Sequence, residues 1–113
     1  MVIMRYVFTL ILFLFVMSCC LGKEITCEAT AYSVECGDYT ATGHKVKWGI
    51  IAVDPSVIPL YSEVYIEGYG YFIALDTGEA IVGNRIDIWF PTIEDALNFG
   101  IKTVKVTILR RGK

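Results

Sequence analysis

The sequence predicts a mostly-β domain, a small barrel or compact β-rich fold of about six short strands with one or two short helices. Short runs of period-two or wholly apolar character recur through the chain. Glycines separate them as turns, and a single stretch carries clear helix start and stop signals. Arg5 is the one charge in Met1–Met17, so nine of the ten Lys/Arg and all twelve Asp/Glu belong to residues 18–113. That leaves one domain of roughly ninety residues, sufficient for a single modest core.

The strands can be placed in chain order. Ile25–Ser33 is rich in Thr, Tyr and Ala, and Trp48–Val53 is a short apolar run of the kind buried on both faces. Glu63–Glu67 and Tyr71–Leu75 flank Gly68-Tyr69-Gly70, a glycine-containing link that predicts a hairpin. Arg85–Phe90 alternates, with Ile86, Ile88 and Phe90 on one face and Arg85, Asp87 and Trp89 on the other. Lys102–Leu109 alternates too, placing Val104, Val106 and Ile108 together. The helix is expected from Thr92, where Thr92 and Asp95 have capping-box spacing. Ile93, Ala96, Leu97 and Phe99 would form its apolar side, and Gly100 would stop it.

The mean hydropathy of +0.55 comes mostly from the front of the chain. Met1–Arg5 reads as a basic n-region and Tyr6–Met17 as an apolar h-region, too short for a membrane span of about 20 residues. Residues 1–22 are expected to be an export signal and 23–113 the mature domain. Val16-Met17-Ser18-Cys19 resembles a lipobox with Cys19 as the lipidated residue. Cleavage near Gly22 and an uncleaved anchor are the other two readings. Each places the domain outside the cytoplasm, secreted or at the cell envelope, with membrane contact only through that segment. There Cys27 and Cys36 could pair, or remain two free thiols.

A net charge of −2 argues against nucleic acid as a partner, and a single histidine, His44, excludes a multi-imidazole zinc site. His44, Lys45 and Lys47 read as solvated, and Trp48 as core or groove. The chemistry therefore falls to carboxylates. Asp54 precedes Pro55 at a strand exit, Asp76 opens Asp76-Thr77-Gly78, and Asp87 lies within a strand beside Arg85 and Trp89. Asp-Pro and Asp-Thr-Gly are common turn formers, so Asp54 and Asp76 alone read as structural. Asp87 could pair with Arg85, or, beside an exposed Trp89, line a sugar groove that glycines 78 and 83 let a ligand approach.

Taken together, the segments resemble a known family. Thr30-Ala31-Tyr32, Thr40-Ala41-Thr42-Gly43, Gly49-Ile50-Ile51-Ala52-Val53-Asp54-Pro55, Asp76-Thr77-Gly78 and Gly83-Asn84-Arg85-Ile86-Asp87 occur in its order, with Phe90-Pro91-Thr92 behind. The sequence looks like a three-aspartate (3D) domain from about residue 26 to 109, with Asp54, Asp76 and Asp87 at the name-giving positions. The resemblance implies a six-stranded double-psi β-barrel and kinship with the catalytic domain of membrane-bound lytic transglycosylase A. It implies cleavage of peptidoglycan glycan strands between N-acetylmuramic acid and N-acetylglucosamine, leaving a 1,6-anhydro end. Asp87 would be the general acid/base, Asp76 its neighbour that raises its pKa or positions the sugar, and Asp54 a holder of the groove. Thr42, Gly78, Asn84, Arg85 and Trp89 would contact substrate. No cofactor or metal is implied, and a homodimer is left open.

A non-catalytic glycan-binding module of the same fold is the alternative, and a two-carboxylate hydrolase is the weaker third reading. Two departures bear on activity. The family usually reads Asp-Thr-Gly-Gly-Ala-Ile-Lys-Gly where this chain has Glu79 and Val82; positive φ at that glycine would make Glu79 cost about 1 kcal/mol. Tyr61-Ser62 stands where Gly-Thr is common.

Overall fold

Strict alternation of side chains decides the architecture. The computed structural model describes residues 22–112. Its strands are β1 (Lys23–Tyr32), β2 (Ile50–Val53), β3 (Glu63–Ile66), β4 (Gly70–Asp76), β5 (Arg85–Trp89) and β6 (Lys102–Arg110). One α-helix, α1 (Ile93–Phe99), precedes β6, and a 3₁₀ turn at Val34–Cys36 comes after β1. The export-signal expectation, with its lipobox at Cys19, falls on residues outside the described ones.

The strands close into a barrel in the order β1-β5-β2-β4-β3-β6. Two neighbouring pairs, β1 with β5 and β2 with β4, are parallel, and the other four are antiparallel. Each strand sends every second side chain inward: Cys27 and Ala29, Ile51 and Val53, Val64 and Ile66, Phe72 and Ala74, Ile86 and Ile88, and Val104, Val106 and Ile108. β2 is buried on both faces, as its unbroken apolar run predicts. Closure leaves no open sheet edge among the described strands.

The hairpin forms, with Ile66 opposite Gly70 and the Tyr69 N–H bonded to the Ile66 carbonyl at 2.9 Å. The helix also starts as expected: Thr92 Oγ1 accepts from the Asp95 N–H at 3.1 Å. Its packing face is narrower than predicted. Ala96 and Phe99 are buried, whereas Ile93 and Leu97 are 48% and 76% exposed. A helix of about two turns presents only a narrow stripe to a barrel, and here Phe99 fills it against Tyr69 and Phe90.

Of the two cysteine readings, the free thiols hold. Alternation puts Cys27 inside the barrel while Cys36 lies exposed beyond the end of β1. Burial pushes the Cys27 thiol up to about 11. The β2 strand starts at Ile50 rather than Trp48, because Gly49 takes φ 105°. Trp48 stays half-exposed, edge-on to Phe72 and Phe90.

Candidate functional site

The strand register lays the outer-face residues in a row. Thr30 lies opposite Asp87, Asp87 opposite Ala52, and Ala52 opposite Asp76, across β1, β5, β2 and β4. A register shift after Ile51 brings Asp76 rather than Leu75 into line. Ala52, with its single methyl, separates the two carboxylates. Beneath and around them Tyr32, Ala52, Ile81 and Trp89 form a second apolar cluster, with Val46 packed against it.

Asp87 is half-buried, and that burial raises its carboxyl above the ordinary value. The negative charges of Asp76 and Glu35 push the same way, while the Thr30 hydroxyl and the Arg85 guanidinium oppose them. Thr30 Oγ1 donates to Asp87 Oδ1 at 3.0 Å. Arg85 does not pair with Asp87; its Nη2 lies 3.6 Å from Glu28 Oε1. Such a carboxyl is suited to holding a proton and giving it up.

Asp76 is held differently, as an acceptor of three hydrogen bonds. Tyr32 Oη donates to Oδ2 at 3.0 Å, and the Ala41 and Thr77 N–H groups donate to Oδ1 at 2.8 and 2.9 Å. Burial and the Asp76 charge push the Tyr32 phenol well above its usual range, so it remains a donor. The Ala41 bond belongs to the turn Thr40–His44, which hooks over the end of β4. The single Thr42 hydroxyl hydrogen goes to the Leu75 carbonyl at 2.7 Å. Thr40 Oγ1 and His44 Nδ1, at 2.9 and 2.8 Å, must therefore donate to Thr42. Thr42, expected to contact substrate, has its hydroxyl committed internally, and His44 carries a proton on Nδ1.

Asp54 lies apart from this row. Its carboxylate accepts from the Gly83 N–H at 2.7 Å and from the Ser56 N–H and hydroxyl at 3.0 and 2.7 Å. The Gly83 bond, then those to Ser56, hold its pKa below the ordinary value. Among the described residues no three carboxylate, imidazole or thiol groups converge as a metal-binding cluster. Asp76 and Asp87 thus share the row, while Asp54 clamps the Gly83 and Ser56 backbone.

Other expected contacts also shift. Trp89 is 7% exposed, not an open stacking face, because its ring packs into the outer apolar cluster. Its Nε1 and the Arg85 Nε, on either side of Asp87 in β5, are buried donors without an acceptor among the described residues. Asn84 and Gly78 lie at the surface, in the segments that lead into β5 and out of β4. Gly78 does not use positive φ; a Cβ there would press on Ile81 at 3.1 Å. Gly83 does, at φ 72°. Glu79 escapes the expected strain, since Tyr61, at φ 70°, is the one non-glycine with positive φ among the described residues. Thr30, Tyr32 and Ala52 carry the row, and sequence reasoning gave them no role of their own. The signal was available: Thr30 and Tyr32 share the strand face opposite the inward Cys27 and Ala29.

The closed six-stranded barrel, with β1–β5 and β2–β4 parallel and the other pairs antiparallel, is a double-psi β-barrel. The crystal structure of MltA from E. coli is similar in fold, with a TM-score of 0.55 at 21% identity over 66% of this chain and 28% of that one. The chain belongs to the 3D domain family, whose model matches residues 49–110. It is 52% identical over 95 residues to YabE of Bacillus subtilis (strain 168), named as a cell wall shaping protein, covering 78% of this chain and 23% of YabE. It is 51% identical over 95 residues to the cell wall-binding protein YocH of the same strain, covering 78% of this chain and 33% of YocH. The chain thus spans a quarter to a third of the length of these relatives.

Proposed function

We propose that this chain is an exported domain that acts on the cell wall glycan, and that it cleaves peptidoglycan as a lytic transglycosylase with Asp87 as its acid/base. Residues 1–22 would be the export signal. The carrying observation is the half-buried, raised Asp87 carboxyl in register with Asp76, which accepts three hydrogen bonds. The cell wall names of the relatives agree with the substrate class.

Asp87, protonated, gives its proton to the glycosidic oxygen as the bond from the N-acetylmuramic acid anomeric carbon breaks. The sugar's own C6 hydroxyl attacks that carbon, and its proton passes to the Asp87 carboxylate. The products are a 1,6-anhydro end and a free 4-hydroxyl, and no water is consumed. One carboxyl therefore suffices where hydrolysis uses two. Asp76, its oxygens engaged as acceptors, stabilises the positive charge that develops on the ring. Asp54 holds the Gly83 turn that precedes β5. Asn84, Gly78 and the exposed end of the Arg85 side chain would meet substrate.

The name of YocH favours a second reading, a glycan-binding module without catalysis. Digestion of purified peptidoglycan, followed by liquid chromatography and mass spectrometry, separates the two. The transglycosylase gives anhydromuropeptides that Asp87→Asn abolishes. Hydrolysis gives products one water heavier, and wall binding without products supports the binding module.

A further inference from the structure

One cleft shares the face of the carboxylate row without belonging to it. Its volume is about 400 Å³, its floor is Ile50, Ile73 and Leu75, and its walls are Tyr61, His44 and the two lysines Lys45 and Lys47. Ile50 pairs with Ile73, two residues along β2 from the Ala52–Asp76 pair. The cleft therefore lies one pleat, about 7 Å, along the strands from the row.

Its composition differs from the rest of the chain. The net charge is −2, yet no carboxylate lines this cleft. The one ion pair among the described residues joins Arg85 to Glu28, which leaves both lysine ammoniums without a partner there. Tyr61 reaches the cleft from a left-handed backbone, φ 70°, pinned by its N–H on the Ala74 carbonyl at 2.7 Å. A non-glycine in that conformation is strained, and its ring stands edge-on to His44 at 6.0 Å.

Resting on the functional reading above, we propose that this cleft seats the carboxylate-bearing peptide branch of the glycan. The glycan would cross the strands along the Asp76–Asp87 row. A branch leaving it would run along β2 and β4 into the cleft. Lys45 and Lys47 would meet its carboxylates, while Tyr61 and the aliphatic floor would cover its methyl and methylene groups. The cleft then makes the site prefer peptide-substituted strands over bare ones.

The test measures binding to soluble glycan strands free of other wall polymers, with their peptides intact or removed by an amidase. Asp87→Asn is used throughout so that the strands survive. The expected result is roughly tenfold tighter binding of the peptide-bearing strands, a preference that weakens with salt. Lys45→Ala/Lys47→Ala should remove that preference while leaving affinity for bare strands unchanged. Equal binding of both strands by the parent protein, or an equal loss on both in the double variant, overturns the subsite and leaves the functional reading standing. Failure to bind either strand overturns the functional reading and the subsite with it. Competition by poly(glycerol phosphate) as effective as that by peptide-bearing strands assigns the lysines to a phosphate polymer instead, and overturns the peptide assignment.

Discussion

Asp87 lies within β5 and Asp54 just past the end of its neighbour β2, yet the two carboxyls meet opposite physics. Asp87 is half-buried, receives one side-chain hydrogen bond, and has a raised pKa because burial outweighs Thr30 and Arg85. Asp54 is partly exposed, receives three hydrogen bonds, and has a lowered pKa because those bonds outweigh its burial. One environment favours the protonated carboxyl, and the other favours the anion that organises a turn. Residue type and motif are shared; burial against donor count separates the roles.

The contrast can be broken first at Tyr32, which packs beside both members of the row. Tyr32→Phe removes a buried donor from Asp76 and should destabilise the fold by about 1–3 kcal/mol in urea unfolding. Asp87→Asn should act in the other direction at neutral pH, raising stability by about 0.5–2 kcal/mol as expected when a functional conflict is relieved. The two carboxyls also give opposite pH dependences. A raised folded pKa means that the Asp87 contribution is full below the ordinary aspartate value and is lost as pH rises through the folded one. Asp54 does the reverse, stabilising above the ordinary value and losing that contribution as pH falls through its lowered one. Asp54→Asn should therefore flatten the acid side of the stability curve, and Asp87→Asn the side above it.

Smaller effects sharpen the picture. Tyr61→Gly should raise stability by about 0.5–1 kcal/mol, since relief of the left-handed strain exceeds the added unfolded-state entropy. Thr30→Val deletes the hydroxyl that lowers the Asp87 pKa, so the alkaline fall of the proposed glycan cleavage should move to higher pH while the fold is retained.

Much of this was legible from residue order. Alternation placed Ile86 and Ile88 inward and Asp87 outward, and the family motifs picked the three aspartates. Residue order could not reveal which residues meet across the barrel. Pairing of Asp87 with Ala52 depends on an antiparallel neighbour, and that of Ala52 with Asp76 on a parallel one and a one-residue shift in β4, all far apart in sequence. Trp89 misled for a related reason. Its outward direction was right, but Ile81 and Tyr32 converge on it from other segments and cover the ring. Tyr61 and Glu79 show the same limit, because only the backbone reveals which of the two takes positive φ.

The central claim is that two aspartates of one motif set are driven apart by their surroundings. The direct measurement is a carboxyl-carbon NMR titration of the purified protein, with resonances assigned through Asp87→Asn and Asp54→Asn. The account predicts that Asp87 titrates above the ordinary aspartate range and Asp54 below it. An Asp87 midpoint at or below that of Asp54 would contradict it.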